Sequence, residues 1–279
     1  MKIIGHGWYA RLIWWITGSA LFLHHRRFAL NHERIFSSMQ SLKREDTFLR
    51  HIQADAHIGR FYRTLCRTKQ GDASQLIKNK VQVQECPELF APATVRPIIF
   101  SLHWVDLFFC VAGLANYCSK NGTELMVIRR QTAMNFNADA IVALTQRSGV
   151  TVHFVAPGEP ALLQKIQTHL DKNWPVLILV DLWGNYGPTR TIRYQNKSLQ
   201  ICTSPFLLAK RLRASIFIAK TQGSAAHGGL TIKVDAISDA PVLKLAPLMQ
   251  RVTQDLWDSI GDGYWLSWDS YPNFFYHYP

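Results

Sequence analysis

The chain is poor in the features that mark several common classes of protein. It has five cysteines in 279 residues, and Cys66, Cys86, Cys110, Cys118 and Cys202 nowhere form a C-x-x-C pair. An odd, scattered set argues against a disulfide framework and a zinc site, and for a reducing compartment. There is no internal repeat and no low-complexity segment. A G-x-S-x-G turn is missing, which removes the serine hydrolases built on a nucleophile elbow. The glycine-rich segment GSAAHGG, 223–229, has no following helix pattern and no Lys-Ser/Thr pair. It reads as a hairpin turn between two strands and not as a phosphate loop. His153 and His169 have no metal-ligand spacing to an acid or to another histidine, and read as structural. Acid is scarce as well, with 19 Asp+Glu against 31 Lys+Arg.

What is present is unevenly spread. Residues 1–70 hold twelve Lys/Arg against four Asp/Glu, an excess of eight out of the total of +12, together with six of the eleven histidines. Within this quarter lies WYARLIWWITGSALFLHHRR, whose uninterrupted apolar part, Leu12 to Leu23, is 12 residues long. A bilayer-spanning helix needs ~20. The Trp and Tyr rings, Arg11 and the His-His-Arg-Arg flank suit the headgroup zone of an anionic membrane surface. This predicts an interfacial or partly inserted helix. The alternative is an amphipathic helix packed on its own domain. A signal peptide is disfavoured because no A-x-A-like cleavage site follows. No nucleic-acid-binding motif accompanies the basic residues.

Hydrophobic residues make up 48% of the chain, enough for one large core. Apolar residues recur at helical spacing through residues 26–70. Residues 69–96 read as a mixed region with a helix near 73–81 and a loop. From 97 the pattern becomes short apolar runs alternating with helical stretches. Strands are predicted at 97–102, 124–128, 151–155, 175–180, 215–221 and 229–236, and helices at 104–118, 136–148, 158–172, 203–213 and 245–260. The alternation predicts an α/β fold, a central mixed, mostly parallel sheet flanked by helices. The expected organisation is a helical, membrane-proximal extension over 1–70 and a catalytic-sized α/β domain over 71–279.

One stretch concentrates the chemistry. FSLHWVDLFF, 100–109, places His103 and Asp106 where a buried strand gives way to a helix. Active residues on α/β sheets gather at such corners. A histidine base needs a partner that holds its tautomer, and a residue three positions on in a helix lies on the same face. The competing reading is a core histidine beside an acid that favours the helix dipole.

The order of blocks along the chain resembles that of the bacterial lipid A late acyltransferases, within the lysophospholipid acyltransferase superfamily. The blocks that carry it are RRFALNHERIFSSM, PIIFSLHWVDLFF, VIRRQTAMNFNADAIVALTQRSGV, WPVLILVDLWGNYGP, TSPFLLAKRLRASIFIA and YWLSWDSY. The resemblance implies that His103 is a general base which deprotonates an acceptor hydroxyl for attack on an acyl thioester. It implies an acyl carrier protein as donor, coenzyme A less so, and no cofactor or metal. The acceptor is expected to be a lipid or a small molecule with a hydroxyl or amine, and the place of action the cytoplasmic face of a bacterial inner membrane. The family pattern H-x-x-x-x-D/E has Phe108 here at its acidic position, so Asp106 is the candidate replacement. The C-terminal Ser267-Trp268-Asp269-Ser270 also departs from the family's basic stretch.

Four further residues are candidates for substrate binding. Arg129 and Arg130 end a predicted strand, where a guanidinium pair can fork onto a phosphate. Asp181 ends the strongest apolar run and can position the acceptor or pair with that arginine cluster, with an architectural role favoured. Arg190, after Pro188 on an extended segment, is a phosphate candidate beside the reading of a surface strand. Two other functions stay open on the sequence: a catalytically degenerate membrane-binding scaffold, favoured by Phe108, and a thioester hydrolase in which His103 activates water.

Overall fold

The computed structural model describes residues 64, 67–102, 107–129, 149–181, 187–194, 197–224 and 229–259. The predicted N-terminal helical extension lies almost wholly outside them, as do the predicted helix at 136–148 and the C-terminal aromatic segment. Within them the chain forms a mixed α/β structure around a curled, mostly parallel seven-stranded sheet.

In chain order the elements are α1 (Gln70–Lys78), β1 (Val81–Val83), a 3-10 turn (Pro87–Phe90), β2 (Ile98–Ser101), α2 (Leu107–Lys120), β3 (Leu125–Ile128) and β4 (Val152–Val155). Then follow α3 (Leu162–Leu170), β5 (Val176–Leu179), β6 (Thr189–Tyr194), β7 (Lys197–Cys202), α4 (Ser204–Arg211), β8 (Ile216–Ser224), β9 (Gly229–Ala236) and α5 (Leu245–Asp258). Across the sheet the order is β1-β9-β8-β2-β5-β3-β4, which puts β2 in the middle. It pairs in parallel with β5 on one side, from Ile98↔Val176 to Ser101↔Leu179, and with β8 on the other, from Ile98↔Ile216 to Phe100↔Ile218. Both β2 and β5 are buried along their whole length. This accounts for their unbroken apolar runs, because a parallel strand covered on both faces has no solvent side to make polar.

The curl comes from β8. Nine residues long, it runs on past the end of β2, and β9 returns along it as an antiparallel partner from Ser224↔Gly229 to Phe217↔Ala236. The residues between them, 225–228, lie outside the described set, but the register around them is that of the hairpin predicted from GSAAHGG. β1 then pairs with β9, Val81 opposite Leu230. The wrapped sheet packs on α2, which meets β1, β9 and β3. Accordingly α2 is apolar nearly all round, with Phe109, Cys110, Val111, Ala112, Leu114, Ala115 and Cys118 buried. Gly113 allows the close approach. A Cβ there would lie 2.5 Å from Val81 Cγ1 and 2.9 Å from Ile232 Cδ1. On β2, Phe100 meets Phe206 of α4 with ring centroids 4.9 Å apart.

Three departures from the sequence reading have local causes. The helix expected near 73–81 starts earlier and stops at Lys78, because Val81 and Val83 are needed as a strand against α2. The helix expected over 158–172 spans only Leu162–Leu170. Before it the chain turns through Gly158, at φ 91°, and the Glu159 carboxylate accepts the Ala156 N–H at 2.7 Å, which holds the turn. The segment carrying Arg190 and Arg193 is extended, as expected, but it is also half of an antiparallel hairpin with β7. That hairpin forms a separate two-stranded sheet packed on α5, whose Gln250 amide donates to the Arg193 carbonyl at 2.6 Å.

Candidate active site at the carboxyl end of the sheet

The connections from the two middle strands leave in opposite directions. From β2 the chain passes through α2 to β3, beyond β5. From β5 it passes through the β6–β7 hairpin and α4 to β8, beyond β2. In open α/β sheets, ligands bind outside the carboxyl ends of two strands at such a switch point. Here that point lies between the ends of β2 and β5.

Three features define it. The last residue of β2, Ser101, is fully buried, and its hydroxyl donates to the Ala219 carbonyl of β8 at 2.9 Å. Backbone pairing of β2 with β8 ends one residue earlier, at Phe100↔Ile218. On the other side, pairing with β5 runs on: the Val180 N–H donates to the Ser101 carbonyl at 2.9 Å. Leu102 follows, fully buried, and the next described residue is Leu107 at the start of α2. His103 and Asp106 fall between these two and lie outside the described residues. The side chain of Phe108 does too.

Asp181 follows Val180 at the end of β5 and is only 5% exposed. A carboxylate so far from water is costly unless its surroundings stabilise it. Arg129 ends β3, the strand beyond β5. Its N–H donates to the Val155 carbonyl at 2.9 Å, and its guanidinium lies 4.8 Å from the Phe154 ring centroid on β4. A guanidinium over an aromatic ring is attracted by the ring's negative face. The sheet therefore brings Asp181 and Arg129 to neighbouring strands at one end. Arg130 lies outside the described residues. Arg190 sits exposed on β6, opposite Ile201, on the separate hairpin and not on the main sheet.

Cys86, Cys110, Cys118 and Cys202 are buried, and among the described residues none is in a disulfide. Burial pushes the Cys86 thiol up to about 11 and the Cys118 thiol up to about 12. At neutral pH both stay protonated, and the thiol is the unreactive form.

Sequence spacing missed a second cluster, at the opposite end of the sheet. His153 Nε2 on β4 lies 2.5 Å from the Glu124 carboxylate just before β3, 29 residues away in sequence. His169 Nε2 is 3.1 Å from the Glu124 carbonyl and 3.3 Å from the Pro175 carbonyl, so it carries the proton and donates. The two imidazoles meet edge to face at 5.3 Å, and His169 meets Trp174 in the same way at 5.3 Å. Burial, and then the nearby His153, push the His169 pKa down to about 4. Among the described residues no group of three or more His, Cys, Asp or Glu has the geometry to hold a metal ion, and no helix is long and apolar enough to cross a membrane. No protein-family model matches the chain, and no curated protein matches its sequence.

Proposed function

We propose that the chain is an acyltransferase. It moves an acyl chain from an acyl carrier protein thioester, or a coenzyme A thioester, to a hydroxyl or amine of an acceptor, foremost a lipid. His103 is the general base. It takes the proton of the acceptor O–H or N–H as that atom adds to the thioester carbonyl. The tetrahedral oxyanion then collapses, the C–S bond breaks, and the proton passes to the leaving thiolate. The products are an ester or amide and a free thiol. Arg129, Arg130 and Arg190 are the cations that meet the phosphate of a carrier's arm or of a lipid headgroup.

The observation that supports this most is topological. The strand preceding His103 is the middle strand of the sheet, and the chain leaves it at the switch point, where Asp181 is also found. The net charge of +12 suits an acidic carrier and an anionic surface. The basic, aromatic segment before residue 28 is the proposed attachment to the cytoplasmic face of an inner membrane.

The test is thiol release and product formation by the full chain, from a dodecanoyl thioester of acyl carrier protein, with a membrane lipid extract as acceptor. His103→Ala is expected to lower the rate by about 100-fold or more. Undiminished transfer in that variant removes the mechanism. A free fatty acid formed at the same rate without acceptor makes the chain a thioester hydrolase. The degenerate scaffold, which Phe108 favours, requires that the wild-type chain releases no thiol at all. Deleting residues 1–25 is expected to move the protein to the soluble fraction.

A further inference from the structure

Among the described residues the large apolar side chains most open to water are Val95, Leu163, Leu207 and Val242, and Val242 is the barest at 82% exposed. Single exposed apolar residues are ordinary on a protein surface. Two of these, however, belong to one surface. Leu207 lies on α4, and Lys210 and Arg211 follow it at i+3 and i+4, on the same side of the helix. The Lys210 ammonium donates to the Pro241 carbonyl at 3.0 Å and to the Leu243 carbonyl at 2.8 Å. Those carbonyls flank Val242, so Lys210 ties the turn before α5 to α4. The turn holds its shape: the Val242 and Leu243 N–H groups donate to the Asp239 carbonyl at 3.2 and 3.3 Å, and Ala240 within it is buried. A held turn that keeps a valine in water forgoes the gain of burying it, and an apolar partner restores that gain.

The surrounding charge is of one sign. Segments 204–213 and 238–245 carry four Lys/Arg and one Asp. Lys210 is taken up by the turn, while Arg211, Arg213 and Lys244 are exposed. Apolar side chains among cations match the boundary of an anionic bilayer, where the apolar groups enter below the headgroups and Lys and Arg meet phosphates. We propose that α4 and the 238–244 turn form a docking face for an anionic phospholipid membrane. Val242 and Leu207 enter the bilayer surface, and Arg211, Arg213 and Lys244 meet lipid phosphates. A second copy of the chain fits less well, since like faces would set these cations against each other. An acidic protein answers the cations but not the two bare apolar side chains. The face is also well placed. The Leu212 carbonyl, past the end of α4, accepts from Arg96 at 3.1 Å just before β2, while Phe206 near its start meets Phe100 near the end of β2. α4 therefore lies antiparallel along the middle strand, with its first turn toward the carboxyl end. A bilayer against this face runs alongside that end of the sheet.

The proposal needs neither the N-terminal attachment nor acyl transfer. Its test uses the full chain on vesicles of equal parts phosphatidylglycerol and phosphatidylcholine, with Cys66→Ser so that only an introduced cysteine takes a nitroxide. Labels go at Val242→Cys, at Leu207→Cys and, as reference, at Ser119→Cys. Ser119 is exposed on α2, which packs on the Ile232 face of the sheet, opposite the Phe100 face that α4 covers. With vesicles added, the labels at 242 and 207 are expected to lose contact with an aqueous nickel complex several-fold and to gain contact with oxygen, with the label at 119 unchanged. Unchanged nickel contact at 242 overturns the proposal, and so does a chain that binds no vesicles. Arg211→Glu combined with Lys244→Glu is expected to weaken partition onto the same vesicles by about 20-fold or more, with the melting temperature near wild type. Equal partition in that variant, with a raised KM for acyl carrier protein, overturns it, the surface then belonging to the carrier. A dimer in solution that Val242→Asp dissociates, with vesicle binding unchanged, also overturns it.

Discussion

At the amino end of the sheet, His169 is buried and gives its proton to the Glu124 and Pro175 carbonyls, while His153 is paired with the Glu124 carboxylate. At the carboxyl end, the chain leaves the middle strand after Leu102, and Asp181 and Arg129 end the next two strands. What separates the two ends is where the backbone goes. At the amino end, a buried ring satisfied by main-chain carbonyls closes the structure around Trp174 and is held in one protonation state. At the carboxyl end the connections from β2 and β5 diverge, the kind of point outside which ligands of open α/β sheets bind. A histidine beside an acid is thus informative only once its place on the sheet is known.

The largest expected effect that would sharpen this contrast is a swap of losses between the two ends. His103→Ala should reduce thioester turnover by 10²–10⁴, about 3–5 kcal/mol of barrier, with the melting temperature little changed. His169→Ala should do the reverse, lowering the melting temperature and leaving turnover per folded molecule near wild type. Similar turnover losses at both ends would break the comparison.

Next in size is the pH dependence of stability. Because the folded pKa of His169 is depressed to about 4, the unfolded chain takes up a proton below pH ~6.5 that the folded chain refuses. Stability from this group is therefore present above ~6.5 and lost as pH falls toward about 4, a total of about 3 kcal/mol. Urea midpoints at pH 7, 5.5 and 4.5 measure it. His169→Gln keeps an N–H donor without titrating, and should flatten this part of the curve. An unchanged acid limb in that variant would show that the amino-end cluster does not hold its histidine neutral.

Smaller effects concern the packing that places the site. Gly113→Val should cost about 2–3 kcal/mol in chemical denaturation, because the added methyls press on Val81 and Ile232 where the sheet curls over α2. Ser101→Ala should cost about 1 kcal/mol by taking the hydroxyl from the Ala219 carbonyl at the point where β2 and β8 part. A neutral Ser101→Ala would mean that the separation of the strands needs no side-chain clasp.

Much of the strand content was legible because apolar runs of four to eight residues are dictated by burial on both faces. β9 was read at 229–236, the bounds it has, and β2, β3 and β5 within a residue or so at each end. β1 escaped because three residues, only Val81 and Val83 of them apolar, make too short a period to recognise. The pairing of β6 with β7 escaped because Thr189, Arg190, Thr191 and Arg193 face outward and leave a weak alternation. The site was legible at its ends of strands: Arg129 and Asp181 follow apolar runs, and both were named on that ground. That Asp181 stands next to the end of β2 was not legible, nor was the pairing of His153 with Glu124. Such neighbours are 29 to about 80 residues apart in the chain, and no local period encodes them.

Composition and period alone determined that this chain builds an α/β core, that its first quarter is basic and aromatic, and that its reactive histidine candidate lies where a buried strand ends. Those properties are set residue by residue, through transfer of apolar groups from water and the 2.0 and 3.6 repeats of backbone geometry. Tertiary structure decided the strand order β1-β9-β8-β2-β5-β3-β4, and with it which acid stands beside which strand. Strand order depends on hydrogen bonds and packing between segments far apart in sequence, so the neighbour that the carboxyl end of β2 acquires exists only once the sheet has formed.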